Sequence, residues 1–338
     1  MKKIHLFIVL LFFTTAIIVL VFGKELISNL YRTKTAEDDP KVIAVSTIGA
    51  THGWPVGVLY HAREEVKKVA EENNWDYVCL VAENSTEQSR QIIELIEQQV
   101  DCIIMLPMDG ASLKTAAKAV QDADIPLVIF DREIPDFAPS ATVKGDNAGI
   151  GVATARIFND YFPKGTKVLE FMGDTSTVPQ QRTDGYDDTI NDNFKKEQVG
   201  YTGWHRLEGR ILFENWVETH SQEEIDKIGA IFTHDDEIAL GILDALDAFE
   251  LDKKYRKSFA NLKVIGGSAG PQEIYRRILS EDKFYLFSLT YRGSMIREAI
   301  RVGEKIIKGE NYEEMIILPT FEVNNMNAKG YLDVYSLY

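Results

Sequence analysis

Acids, bases, amides and indoles recur in this chain just beyond runs of apolar residues, where a turning backbone ordinarily carries small polar side chains. Asp131 and Arg132 follow PLVIF, Trp54 stands in ATHGWPVG, and Gln180, Gln181 and Arg182 stand in TVPQQRTDGY. Trp204 lies in TGWHR, Asp235 in THDDE, Ser268 in GGSAG and Thr290 in SLTYRG. Such a set suits a pocket for a small polyol, whose apolar C–H faces stack on indole rings and whose hydroxyls need directional partners. A carboxylate accepts from two hydroxyls, a guanidinium donates in a planar fork, and one desolvated charged hydrogen bond contributes about 1.5–3 kcal/mol. Each residue also has a plainer reading. Asp131 caps a turn, Arg132 pairs with a nearby acid, the tryptophans fill the core, and Asp235 serves as N-cap to the helix of IALGILDAL. Their joint placement at strand ends carries the pocket reading.

The elements that must hold these residues alternate regularly. From Lys41, KVIAVSTI is a β-branched strand, and in LYHAREEVKKVAEENNW the residues Leu59, Ala62, Val66, Val69 and Ala70 recur at helical spacing. DYVCLVA follows, then a helix over 85–99 whose Ser85-x-x-Gln88 start resembles a capping box, then CIIMLP, a helix over 111–121, and PLVIFD. After DNAGIGVATARIFNDYF a second series begins: KVLEFMG, a helix over 185–194, VGYTGW, a helix over 211–219, AIFTHDD, a helix over 238–248, and KVIGGS. FYLFSLT, a long helix over 295–307 and ILPTFEVNN close the chain. Continuous apolar runs alternating with amphipathic helices indicate parallel sheets covered on both faces. The expectation is an α/β protein of two Rossmann-like lobes, with ligand outside the carboxyl ends of the strands, facing a shared cleft.

Bulk properties exclude several classes. The 338 residues carry a formal charge of −15, with 52 acids against 37 bases, which argues against a nucleic-acid partner. Lys2 and Lys3 precede an uncharged run from Leu6 to Phe22 that Lys24 closes. At about 1.5 Å per residue that run lies at the short end of what spans a bilayer, so a cleaved signal and a retained anchor both fit. The absence of a small-x-small motif after it favours an anchor, and the absence of a Cys argues against lipidation. Lys2 and Lys3 stay cytoplasmic, which puts the folded part outside. Cys79 and Cys102 sit in apolar strands and read as free buried thiols. No spacing of ligands predicts a metal, GDNAGIG has the wrong spacing for a dinucleotide loop, and no cofactor is expected. A greasy N-terminus leaves no room for the helix-turn-helix of a repressor.

IPLVIFDRE, VKGDNAGIGVATARIF, KVLEFMG with QRTDGY, AIFTHDDEIALGILDAL and VIGGSAG together resemble the type I periplasmic sugar-binding proteins, the ribose-binding-like group, over nearly everything from Lys41 onward. GW in ATHGWPVG is most similar to the galactofuranose- and xylose-binding branches. The resemblance implies a Venus-flytrap fold with three crossovers: an anchor over 1–24, a stalk over 25–40, an N-terminal lobe of 41–145 plus about 291–318, and a C-terminal lobe of 146–290 plus about 319–338. It implies that Trp54 and Trp204 sandwich a sugar ring, that Asp131 and Arg132 form the first lobe's polar clamp, and that Gln180 or Gln181, Asp235, Ser268 and Thr290 serve the second; within QQR, Arg182 is the alternative contact. The family usually has Asp where this chain has Ser268 and commonly Asn where it has Asp235. The implied function is non-enzymatic binding of a monosaccharide, a pentose such as xylose or else a hexose. The anchor without a Cys resembles membrane-anchored receptors that report to a sensor histidine kinase; delivery to an ABC permease is the alternative. A more distant reading makes Asp131 and Asp235 the acid and base of a glycoside-processing enzyme.

Overall fold

A computed structural model describes residues 40–49, 53–251 and 258–333. The expected anchor and the stalk up to residue 39 lie outside the described residues, and no described helix is long and apolar enough to cross a membrane.

The first series comprises β1 (Val42–Ile48), α1 (Gly53–Asn73), β2 (Asp76–Ala82), α2 (Ser85–Glu97), β3 (Cys102–Met105), α3 (Gly110–Asp122), β4 (Leu127–Phe130) and β5 (Ala141–Gly145). The second comprises α4 (Asn147–Tyr161), β6 (Lys167–Met172), α5 (Thr177–Asp187), β7 (Lys195–Tyr201), α6 (Arg206–Thr219), the short α7 (Gln222–Ile225), β8 (Ile228–Thr233), α8 (Asp236–Leu251), β9 (Val264–Ala269), α9 (Gln272–Ser280) and β10 (Tyr285–Thr290). After a 3-10 turn (Gly293–Met295) come α10 (Ile296–Lys308), β11 (Met315–Leu318), β12 (Glu322–Val323) and a final 3-10 turn (Ala328–Tyr331). Two six-stranded sheets result, ordered β11-β5-β4-β3-β1-β2 and β12-β10-β9-β8-β6-β7. Every pairing is parallel except that of β12 with β10. The chain passes between the sheets after β5, after β10 and after β11.

Burial explains the parallel arrangement. Central strands β3, β4, β8 and β9 are buried at every position, whereas edge strand β7, with the sequence KKEQVGY, is buried at none. Successive side chains of β1 feed opposite faces: Ile43 and Val45 join the cluster under α1 and α10, while Ala44 joins the cluster under α2 and α3. Leu169, Phe171 and Ile231 form the second lobe's core with Phe213 and Ile238 from α6 and α8. Burying one such side chain contributes about 1.5–3 kcal/mol.

Two local expectations are corrected. The helix expected over 185–194 runs from Thr177 to Asp187, because the QQRTDGY stretch is itself helical and the chain then turns into β7. The N-cap of α2 is Asn84, whose side chain accepts from the Glu87 N–H, one residue before the expected Ser85. Cys79 and Cys102 are free. They stand on β2 and β3, which flank β1, so two strand spacings of about 4.8 Å each separate them, beyond the reach of a disulfide.

Candidate functional site

Three residues at strand ends adopt left-handed backbone that non-glycine residues rarely take: Asp131 (φ 67°) after β4, Trp204 (φ 70°) after β7, and Ala269 (φ 103°) at the end of β9. All three line one cavity between the lobes, together with Trp54, Arg132, Val178, Arg182, Asp235 and Tyr291. For a bulky residue such as Trp204 this conformation costs of order 1–3 kcal/mol and persists only where surrounding structure holds it. The Trp204 N–H donates to Thr202 Oγ1 at 3.2 Å, and Thr202 in turn donates to the Met172 carbonyl at 2.9 Å. Gly173 provides the seat for the indole, since a Cβ there would lie 2.2 Å from the ring. Trp54, in the first turn of α1, stacks on Phe130 with centroids 6.2 Å apart and leans on Tyr291 at 5.9 Å.

The polar groups form one buried arrangement. Asp131 Oδ1 accepts the Tyr291 hydroxyl proton, and the Tyr291 oxygen accepts from Asn147 Nδ2 at 3.1 Å. Arg182 lies between the Tyr291 ring at 4.8 Å and the Trp204 ring at 5.5 Å. Its Nε donates to Asn147 Oδ1 at 3.0 Å, and its Nη1 donates to Ser268 Oγ at 2.8 Å and to the His234 carbonyl. Arg132 donates from Nη1 to the Met108 carbonyl at 2.6 Å and reaches Asp174, on the second lobe, from Nη2 at 3.3 Å. What remains is Arg132 Nε, buried with no protein acceptor, 4.0 Å from Asp131 Oδ2. The indole N–H groups of Trp54 and Trp204 are likewise buried without a protein acceptor at hydrogen-bond geometry.

Burial dominates the titration of the acids here. It raises the Asp131 pKa against the opposing charge of Arg132, the Tyr291 bond and Arg182. Burial, reinforced by neighbouring Asp236, raises Asp235 well above the usual carboxylate range. For Asp174 burial also opposes ionisation, but Arg132 and bonds from Ser176 prevail and hold its pKa low. Behind the site, Glu170 accepts from Thr183 at 2.8 Å, meets His234 Nε2 at 3.1 Å and pairs with Lys196 at 3.1 Å. Those partners overcome burial and lower Glu170 to about 2.

The structure brings Trp54, Asp131, Arg132, Arg182, Trp204 and Asp235 to the common cavity. Asp235 combines both of its readings: its Oδ1 caps α8 by accepting from the Glu237 N–H at 2.7 Å while the residue lines the cavity. Gln180 does not reach it. It is two residues, about 200°, around α5 from Arg182, and it donates outward to Asp184 at 2.6 Å. Gln181 spans the lobes instead, donating to Glu133 at 2.6 Å. Ser268 stands behind Arg182, accepting its proton and donating to the His234 carbonyl at 2.9 Å. Thr290, the last residue of β10, accepts from the Phe321 N–H at 2.9 Å and ties down the third passage. Tyr291, unremarked in the sequence, takes the place expected of Thr290; its signal was its position as the first residue past the strand. The expected tryptophan sandwich is only partly in place, since Trp204 stacks on Arg182 and Trp54 on Phe130.

The cavity measures about 30 Å³. One water needs about 10–15 Å³ on this scale, so a larger body enters only as the walls separate. Among the described residues no cluster of three or more His, Cys, Asp or Glu is arranged to hold a metal ion.

Comparison with known proteins gives a consistent picture. The profile of the periplasmic binding protein domain matches residues 43–311. The ribose import binding protein of Bacillus subtilis is 26% identical over 188 residues, a match that covers 55% of this chain and 60% of that protein. The galactofuranose-binding protein of Escherichia coli is 22% identical over 293 residues, covering 82% of this chain and 86% of its own. Among solved structures, an ABC transporter solute binding protein from Bacillus halodurans with bound myo-inositol superposes with a TM-score of 0.74 at 23% identity, over 88% of this chain and 99% of that one. One from Mycobacterium smegmatis with bound glycerol gives a TM-score of 0.75 at 20% identity, with the same coverage of 88% and 99%. At such identities these two structures establish a shared fold.

Proposed function

The chain belongs to the periplasmic binding protein domain family, in its type I sugar-binding group, and from that premise we propose that it is a non-enzymatic receptor for a neutral monosaccharide. The observation that carries this reading is the pair left over from the protein's own bonding, Arg132 Nε and Asp131 Oδ2, 4.0 Å apart. One hydroxyl oxygen seated between them accepts from the guanidinium and donates to the carboxylate, each at ordinary hydrogen-bond length. The unpartnered indole N–H groups are further donors for ring or hydroxyl oxygens, and the indole faces suit C–H surfaces. Two acids, Asp131 and Asp235, face two guanidinium groups, Arg132 and Arg182, so a ligand with net charge would leave a buried charge uncompensated. A pentose such as xylose is the first reading and a hexose the second; relatives are named for ribose, galactofuranose, xylitol and xylose.

Binding works by population shift. A ring larger than the cavity enters an open form, and it touches both lobes only on closure, so ligand favours the closed state. Arg132 with Asp174 and Gln181 with Glu133 latch the lobes across the cleft. The closed surface then reports to a membrane partner. A sensor histidine kinase is supported by Lys2, Lys3 and the apolar run without a Cys, which argue for a receptor held in the cell membrane by a single N-terminal segment, its folded part extracytoplasmic. An ABC permease is supported by the import role in the relatives' names. Deleting the chain discriminates the two: lost sugar uptake assigns the permease, whereas intact uptake with lost sugar-induced transcription assigns the kinase. Glycoside chemistry is disfavoured because burial raises both Asp131 and Asp235, whereas that chemistry needs one acid kept ionised.

The test is a thermal-shift panel of free monosaccharides, with product analysis of the same samples, followed by Asp131→Ala and Trp204→Ala with the best sugar. A sugar that raises the midpoint without product, and loses its effect in both variants, is expected. An intact shift in both variants overturns the site.

A further inference from the structure

A second cavity, about 550 Å³, opens at the seam of the lobes. Both lobes build it: Tyr60 and His61 come from α1, Gln272 from α9, Arg292 and Arg297 from the passage between β10 and α10, and Tyr331 from the final 3-10 turn. Ala269, with its left-handed backbone, stands between this cavity and the one around Trp54 and Asp131, and it lines both. Arg292, Arg297 and Tyr331 also line an adjoining groove of about 410 Å³ that runs to Leu318, Pro319 and the 58%-exposed Phe321, along the third passage of the chain.

The charge of the seam is opposite to that of the chain. In a protein of net charge −15, two guanidinium groups and an imidazole face this cavity, and Asp333 is the one acid lining it. Arg292 lies over the Tyr331 ring at 5.0 Å, and among the described residues no carboxylate comes within ion-pair distance of it. Arg297 donates to His61 Nδ1 at 2.9 Å and stands 3.9 Å from Glu65, at the outer limit of a pair. Glu298 faces the adjoining groove. Burial and the Arg297 charge hold the His61 pKa below its ordinary value against the pull of Glu65. The local potential is therefore positive, walled by tyrosines, and long enough with its groove to take an extended segment.

Resting on the receptor reading above, we propose that this seam receives an acidic peptide segment of the membrane partner, its carboxylates held by Arg292 and Arg297. Guanidinium and carboxylate match in a two-pronged, charge-assisted geometry that a point cation lacks. Because the walls belong to both lobes, closure changes the width of the seam, and sugar and peptide favour the same state. Reciprocity then requires each to tighten the other by the same factor.

The full chain, purified in detergent, is titrated with fluorescein-labelled hexaglutamate at low ionic strength and followed by anisotropy, with hexaglutamine as control. Hexaglutamate is expected to bind at least tenfold more tightly than hexaglutamine, to lose at least tenfold in R292Q/R297Q, and to weaken with added salt. Saturating sugar is expected to tighten the peptide, and the peptide to tighten the sugar equally, while R292Q/R297Q binds sugar alone as the parent does. Equal hexaglutamate binding by parent and double variant overturns the proposal, as does peptide binding indifferent to a sugar that itself binds. Peptide binding that emerges only after deletion of residues 334–338 assigns the seam to the chain's own C-terminus and also overturns it. Binding of phosphatidylserine vesicles, lost in the double variant, with no response to hexaglutamate, replaces the peptide with a lipid headgroup. A chain that binds hexaglutamate through these arginines but no sugar refutes the receptor reading and leaves the seam standing.

Discussion

Asp131→Asn separates binding from folding, because the two roles of this carboxylate pull in opposite directions. The residue is 4% exposed, and burial raises its pKa, so near neutral pH the ionised side chain costs the native state more than its neighbours return. Asparagine keeps the shape and leaves an oxygen to accept the Tyr291 hydroxyl, as Oδ1 does now. The ligand-free unfolding midpoint is therefore expected to hold or rise. What the substitution removes is the acceptor at Oδ2, 4.0 Å from the unpartnered Arg132 Nε. A hydrogen bond to a charged group contributes about 1.5–3 kcal/mol, which corresponds to a loss of roughly 10- to 150-fold in sugar affinity. Isothermal titration of parent and variant with the best sugar measures that loss, and differential scanning of the ligand-free proteins measures the midpoint. The parent's affinity is expected to fall as pH drops through the raised pKa of Asp131, since protonation removes the acceptor, and the variant's to fall less. Affinity within twofold of the parent, or a midpoint lowered by as much as the ligand-induced shift is lost, refutes the argument.

Other substitutions probe the supports of the site. Gly173→Ala places a methyl 2.2 Å from the Trp204 ring, so the indole must leave its seat; sugar affinity is expected to fall at least tenfold, with quenched or shifted tryptophan fluorescence as the readout. Glu170→Gln removes a carboxylate whose pKa is lowered from 4.5 to about 2. A depressed carboxylate stabilises above its unfolded value and loses that stabilisation as pH falls through the folded one, so the variant is expected to be weaker by about 3 kcal/mol at pH 7 and to converge with the parent toward pH 2, in denaturant titrations across pH. Deleting residues 2–24 is expected to move the chain from the membrane pellet to the soluble fraction, with immunoblotting of fractionated cells as the check.

Much of this protein was legible in its linear pattern. Apolar runs such as CIIM and LVIF, too continuous for a sheet wetted on one face, required strands covered on both, and the helices between them required parallel pairing. The polar and aromatic residues at the ends of those runs were likewise visible one by one, and Trp54, Asp131, Arg132, Arg182, Trp204 and Asp235 do line one cavity. Only the tertiary structure decided which way each side chain of an irregular turn faces. Gln180 and Arg182 differ by two positions on one helix and by half its circumference, and Thr290 yields to Tyr291 because the strand lasts one residue longer than its pocket. Trp204 holds a left-handed backbone over a space vacated by Gly173, some thirty residues earlier, and the seam joins Tyr60 to Arg292 and Tyr331. Periodicity reports burial averaged over an element, whereas direction at its end depends on one torsion angle and on room left by segments far away in the chain.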